Sequence, residues 1–212
     1  RQLFSSVDYK IEDSDKKNSK DFNLFVKEQP TGNISAGLGY GTNGGLFEAS
    51  INERNFLGQG INLNFTGRLS SEKISGVLSY NDPNFKNSNK ELATSLYSEL
   101  DDFTNAGYQN KRIGTNFATK YEIYEDVFFR PNIGIQYDKL QITGDVSSLL
   151  RSRQGDTTST SVGYSFSVDK RDSKFNPTSG SVFYFNQDID TFISDIPAFK
   201  TGVGATVYKE LF

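Results

Sequence analysis

From residue 33 onward the chain alternates apolar and polar residues with a period of two. Ile34, Ala36, Leu38 and Tyr40 alternate with Ser35, Gly37 and Gly39, and Phe47, Ala49 and Ile51 with Glu48, Ser50 and Asn52. Ile61, Leu63 and Phe65 alternate with Asn62, Asn64 and Thr66. The same period recurs at 74–80, 92–100, 113–121, 127–137, 162–168, 183–185 and 199–207. A two-residue period puts successive side chains on opposite faces of a strand, so the pattern predicts roughly ten strands and no useful helix.

One face of these strands carries Phe, Tyr, Ile, Leu and Val; the other carries Asn, Ser, Thr, Gly and charges such as Arg68, Arg112 and Arg130. A secreted β-sandwich alternates in the same way, but its strands run about 5–6 residues, whereas a tilted membrane strand needs about 9–11. Several of the alternating runs are long. Connections also read as short near 57–60, 86–90, 123–125 and 178–180, against longer polar stretches at 101–107 and 144–156. Short turns on one side and longer loops on the other fit an antiparallel transmembrane β-barrel. The sandwich remains the alternative from pattern alone. Tyr40, Tyr80, Phe85, Tyr121 and Tyr137 fall near strand ends, where interfacial aromatic girdles sit.

The opening residues carry a different signature. Val7, Tyr9 and Ile11 share one face, a Lys- and Asp-rich turn follows, and 21–27 reads as a returning strand. Pro30 and Gly32 then punctuate the chain. Residues 1–31 are expected to end a preceding soluble domain, and 32–212 to form the barrel portion.

Composition removes most chemistry. The chain has no His and no Cys, so it offers no Ser-His-Asp triad, no Cys-His dyad, no thiolate metal site and no disulfide. It has no Met either, which implies a processed or excised piece. A net charge of -3 and a pI near 5.1 argue against a nucleic-acid surface. The longest apolar run, Val182 to Phe185, is far below the roughly 18 residues a membrane helix needs. No signal peptide opens the chain.

Gly37, Gly39, Gly41, Gly44 and Gly45 do not make a phosphate loop, because no Gly-Lys-Ser/Thr follows and no helix opens after them. They predict a pliable strand ending in a tight turn, with weakly specified register. Arg171 and Asp172, with Pro177 and Gly180 downstream, read as an ion pair or cap that pins a strand-turn-strand geometry. Arg cannot serve as a base, and no nucleophile-base pair lies near it in sequence. Asp101, Asp102, Glu122, Glu125 and Asp126 read as solvated rims, and Arg151 and Arg153 as a surface loop. Contact of that loop with lipopolysaccharide or a partner is the functional alternative.

Four segments carry a family resemblance. Lys27-Glu-Gln-Pro-Thr-Gly-Asn-Ile-Ser-Ala-Gly-Leu-Gly-Tyr-Gly41 resembles the junction between the last POTRA domain and the first barrel strand of BamA-type assembly factors. Leu46 to Gly60, with Asn52-Glu-Arg-Asn-Phe-Leu-Gly-Gln-Gly60, resembles their second strand and first periplasmic turn. Ser79-Tyr-Asn-Asp-Pro-Asn-Phe85 resembles the end of their fourth strand, and Val168 to Gly180 their arginine-aspartate turn. The resemblance implies an outer-membrane protein of Gram-negative bacteria with its N-terminal residues in the periplasm. It implies a barrel of about sixteen strands, of which this chain would hold about ten. The sixth-loop Arg-Gly-Phe motif, the closing strands and the terminal β-signal are not in the sequence, so this chain by itself is expected not to close.

The same resemblance implies the function: folding and inserting outer-membrane proteins without ATP, enzyme chemistry or cofactor. It implies that the strand Asn33, Ile34, Ser35, Ala36, Gly37, Leu38, Gly39 and Tyr40 is a lateral seam to which a client strand adds through its backbone. The partners it implies are unfolded outer-membrane clients, outer-membrane lipids or lipopolysaccharide, and assembly-complex lipoproteins reached through POTRA domains, with no nucleic acid. A polypeptide-secreting transporter of the same superfamily is the alternative; a passive porin fits less well, because it expects no preceding hairpin.

Overall fold

The computed structural model describes residues 3–14, 18–41, 44–174, 176–190 and 197–210. Two strands, β1 (Phe4–Asp13) and β2 (Lys20–Glu28), form a separate antiparallel hairpin. Val7 pairs with Val26, Tyr9 with Leu24 and Ile11 with Phe22, and the rings of Tyr9 and Phe22 stack at 5.6 Å. These pairs put Val7, Tyr9, Ile11, Phe22, Leu24 and Val26 on one face, where they remain exposed, while Phe25, opposite Asp8, stands on the other.

The other ten strands form one antiparallel sheet in chain order. They are β3 (Gly32–Gly41), β4 (Gly44–Phe56), β5 (Ile61–Ser70), β6 (Lys73–Asp82), β7 (Glu91–Phe103), β8 (Tyr108–Tyr124), β9 (Val127–Ile142), β10 (Gly155–Asp169), β11 (Ser179–Asp190) and β12 (Phe199–Lys209). Among the described residues β3 pairs only with β4, and β12 only with β11, so the sheet is open with two edges. Every strand of this sheet has ten residues or more, which meets the length a tilted membrane strand requires. Among the described residues no helix is long and apolar enough to cross a membrane, and the one α-helix is α1 (Ser148–Arg151), capped by the Ser147 hydroxyl accepting from the Leu150 N–H.

The registers sort the side chains as the alternation requires. Phe47, Ile51, Phe65, Leu78, Leu96, Ile113, Phe117, Ile133, Ile135, Val162, Phe183 and Val203 lie on one face. Asn64, Arg68, Ser79, Glu99, Arg112, Asn116, Asn132, Ser161 and Asp188 lie on the other. Among the described residues nothing packs on the apolar face. Only Ile61 and Ala118 are buried among the described apolar side chains, while Phe65, Ile113, Phe117, Ile133 and Val203 are exposed. A soluble domain of this length buries a core to offset the conformational entropy of folding. A sheet that leaves its apolar face bare has hydrocarbon as its solvent.

Aromatic residues are not confined to that face. Tyr97 and Tyr184 stand on the polar face, each over a cross-strand glycine: a Cβ on Gly114 would lie 2.3 Å from the Tyr97 hydroxyl, and one on Gly204 2.2 Å from Tyr184 Cζ. Tyr40, Tyr80, Tyr121 and Tyr137 do lie on the apolar face near strand ends. Phe85 belongs instead to a short 3-10 turn, under the Lys86 ammonium.

The connections correct the expected alternation of lengths. Asp101–Phe103 belongs to β7 and Gly155–Asp156 to β10, so the first of the expected long loops shrinks to 104–107. The side expected to be uniformly short holds 83–90 and 170–178 as well as 57–60 and 125–126. Those two longer turns stay compact by bonding to themselves. In 83–90 the Asn84 side chain accepts from the Asn89 N–H at 3.1 Å, and Phe85 N–H donates to the Lys90 carbonyl at 2.8 Å. Such turns carry no apolar period, so sequence spacing underestimates their length. Asp101 is likewise no solvated rim: it faces the polar side of the sheet and pairs with Lys73 at 3.3 Å.

Mid-strand Pro131 marks another departure. It has no N–H to give the β8–β9 ladder, and the pairing runs from Ala118–Asn132 to Tyr121–Phe129 with a gap between them.

Candidate functional site: the edge strand and the 170–178 turn

Strand β3 is the most exposed strand of the sheet on its apolar side, with Leu38 at 87% and Tyr40 at 90% exposure. Ile34, Ala36, Leu38 and Tyr40 alternate with Asn33, Ser35, Gly37 and Gly39, and every residue from Asn33 to Tyr40 is exposed. Among the described residues its polar face makes one side-chain hydrogen bond to β4, between the Ser35 and Ser50 hydroxyls at 2.7 Å. A Cβ on Gly37 or Gly41 would touch nothing within 4 Å. On the apolar face Ile34 stands opposite Ile51 and Leu38 opposite Phe47, so the backbone ladder and these few pairs attach the strand. In an antiparallel ladder every second residue turns its N–H and C=O away from its partner. About half of the ten β3 residues thus offer both backbone groups to an added strand.

The turn 170–178 joins β10 to β11 at the end of the sheet where β3 begins. Arg171 and Asp172 do not pair with each other. Arg171 grips Asp169 with two hydrogen bonds, Nε to Oδ1 at 2.8 Å and Nη2 to Oδ2 at 2.7 Å, and its guanidinium lies 5.9 Å from the centre of the Tyr208 ring. Asp172 is a cap. Its carboxylate accepts the Thr178 hydroxyl at 2.6 Å and the N–H groups of Ser173, Thr178 and Ser179 at 3.0–3.1 Å. The hydroxyl bond, followed by the backbone donors, holds the Asp172 carboxyl down at about 2. Pro177 precedes Thr178 and has no N–H, so the donors to the carboxylate come from its neighbours.

Gly180 adopts φ +104°, and a Cβ there would lie 2.1 Å from the Lys170 carbonyl oxygen. No other residue fits that approach. Lys170 in turn reaches Asp126 at 3.0 Å, tying the turn to the β8–β9 connection. Sequence reasoning missed Asp169 and Tyr208. Asp169 was within reach of it, because residues two apart in a strand share a face; Tyr208 comes from two strands away across the register.

The polar face carries a row of ion pairs across neighbouring strands. Arg68 meets Glu48 at 2.6 Å; Lys73 meets Glu99 at 2.7 Å; Arg112 spans Glu99 at 3.2 Å and Asp138 at 3.0 Å. Beside it, a polar cavity of about 380 Å³ is lined by Asn116, Asn132, Gln136, Ser161 and Asp188. Among the described residues no group of three acidic side chains converges to hold a metal ion. Among the described residues, backbone groups without a strand partner stand at the two sheet edges, β3 and β12.

An open ten-stranded antiparallel sheet with a bare apolar face and an ionic, amide-rich opposite face is part of an outer-membrane β-barrel wall. An Omp85 superfamily domain model matches residues 55–212, and the chain belongs to the Omp85 superfamily. The match begins inside β4, so β3 and the hairpin precede it. The chain is 27% identical over 188 residues to the outer membrane protein assembly factor BamA of Nitratidesulfovibrio vulgaris, covering 86% of this chain and 23% of that protein. It is 23% identical over 197 residues to the BamA of Neorickettsia risticii, covering 88% and 26%. The crystal structure of BamA from Haemophilus ducreyi lacking POTRA domains 1–3 shares the fold. Its TM-score is 0.70 at 20% identity, over 96% of this chain and 42% of that one. The chain spans about a quarter of the length of the curated relatives it matches. Its location is the Gram-negative outer membrane.

Proposed function

We propose that this chain forms the seam-bearing wall of an outer-membrane protein assembly factor, with residues 1–31 in the periplasm as the end of a POTRA domain and 32–212 in the barrel. Unfolded outer-membrane proteins are its clients, and lipoproteins reached through POTRA domains are its companions. The work is non-covalent. A client strand aligns on β3, takes up the outward-turned N–H and C=O groups and is templated into antiparallel register. In hydrocarbon each unsatisfied backbone group costs several kcal/mol, so pairing with the client is strongly downhill once the seam opens.

What supports this reading is the glycine-rich, fully exposed β3, whose polar face meets β4 side chains, among the described residues, at the Ser35–Ser50 contact. Glycines on its polar face keep register loosely specified, which lets one edge accept many client sequences. The test is photo-crosslinking in the full-length protein during assembly of an unfolded barrel client. A photoreactive residue at Ala36 or Leu38 is expected to capture client, and one at Ile133, in mid-sheet on the same face, is not. Equal capture at Ile133, or none at Ala36 and Leu38 while the client assembles, would refute the seam role.

A further inference from the structure

On β8 and β9 the apolar face ends in an unusual rung. Lys111 and Lys139 are direct cross-strand partners. Arg112 and Asp138, their neighbours in sequence, ion-pair on the polar face, so both lysines stand on the lipid-facing side. Like charges placed directly opposite each other destabilise a sheet. Among the described residues neither lysine forms an ion pair, and the two acids nearest on that face are already engaged. Asp156, the register partner of Lys139 on β10, accepts a hydrogen bond from Tyr137. Asp102, one rung beyond Leu100 on β7, accepts from Thr104 and from Gln109 at 3.2 Å. Two cations facing each other, with neither neighbouring carboxylate ion-paired to them, leave donors free for an added anion.

The rungs to either side specify what kind of anion. Toward mid-sheet lie Ile113 and Tyr137, then Thr115 and Ile135, then Phe117 and Ile133; away from it lie Gln109 and Gln141. The order is therefore hydrocarbon, then cation, then amide. From Phe129, at the aromatic rung with Tyr121, to Lys139 is ten residues of β9. At about 3.4 Å per residue and a tilt of about 35–45°, the lysine rung stands about 24–28 Å above that aromatic rung. The apolar band of an outer-membrane barrel is about 25 Å tall, so the lysines sit at headgroup level. The 143–154 connection brings Arg151 and Arg153 to the same end.

We infer that Lys111 and Lys139 form a binding site for the phosphate of a phosphorylated lipid in the outward-facing leaflet, with its acyl chains against the Ile113–Ile135–Ile133 surface. The choice of leaflet rests on the proposed function, which puts the start of β3 on the periplasmic side; both lysines lie at the opposite end. Each cation near an anionic lipid surface contributes a factor of about five, so losing both is expected to weaken binding about thirtyfold.

The test uses the full-length protein in phosphatidylcholine nanodiscs carrying lipopolysaccharide, with bound glycolipid quantified by native mass spectrometry. K111Q/K139Q is expected to lose about thirtyfold in affinity, and K111R/K139R to retain it. Dephosphorylated glycolipid is expected to bind the wild type as weakly as phosphorylated glycolipid binds the glutamine variant. Unchanged binding by K111Q/K139Q, or equal binding of dephosphorylated glycolipid, would overturn the site. Full competition by millimolar inorganic phosphate would make it a general anion site and overturn the lipid assignment. Client capture at Ala36 is measured on the same samples, so failure of the seam and failure of this site are separate results.

Discussion

Gly180 sits where a backbone turns back onto itself, and replacing it by alanine is expected to destabilise the protein by about 3–5 kcal/mol. Two effects add. A φ of +104° is a conformation L-residues rarely adopt, at about 1–3 kcal/mol. The new Cβ would also lie 2.1 Å from the Lys170 carbonyl oxygen and 2.8 Å from the Arg171 Cα. Both contacts are backbone, so no rotamer relieves them, and the turn must move. Moving it breaks the bonds from Lys170 N–H to the Ser181 carbonyl at 2.8 Å and from Asp172 N–H to the Ser179 carbonyl at 3.2 Å, about 1 kcal/mol each. Gly155 provides the internal control. Its φ is +129°, yet a Cβ there meets nothing within 4 Å, so G155A carries the backbone strain alone. The assay is urea unfolding of the full-length protein in lipid vesicles, followed by loss of its folded electrophoretic form. G180A is expected to fall about 2 kcal/mol below G155A. Equal costs for the two variants would refute the close-approach argument.

Two further perturbations separate other parts of the wall. Asp172 has a folded-state pKa of about 2 against an ordinary 3.8, so its contribution to stability is full above about pH 4 and fades as pH falls through 2. D172N is expected to be less stable than wild type at neutral pH, with the two converging near pH 2. Parallel acid-unfolding curves would contradict that. G204A is expected to cost about 1–3 kcal/mol because its Cβ meets the Tyr184 ring, and much less in a Y184A background. Additive effects in that cycle, measured by urea unfolding, would mean that the ring and the glycine do not interact.

The sheet was legible from alternation because a strand with one face in hydrocarbon and one in water has no other way to distribute its side chains. Strand ends were less legible. β8 begins at Tyr108 and β10 at Gly155, in stretches such as Gly155-Asp-Thr-Thr-Ser-Thr-Ser161 that carry no apolar period. Backbone ladders extend through such residues regardless of side chain. The glycine-rich edge strand was visible as composition, and the 170–178 turn as a cluster of Arg, Asp, Pro and Gly. The partners within that turn were not, since Arg171 bonds to Asp169 while Asp172 caps Thr178 and Ser179.

By itself, then, the sequence determined the class of strand, the two faces and the absence of His and Cys chemistry, because each follows from residue type and a local period. Only the tertiary structure decided which residues meet across strands. Register, not spacing, set Lys111 opposite Lys139, Tyr97 over Gly114 and Tyr208 beside Arg171. Only the sheet order placed β3 and β12 at the two edges of the described sheet. A one-residue slip would exchange the two faces and undo all of these pairings, so register is held by burial against two solvents at once.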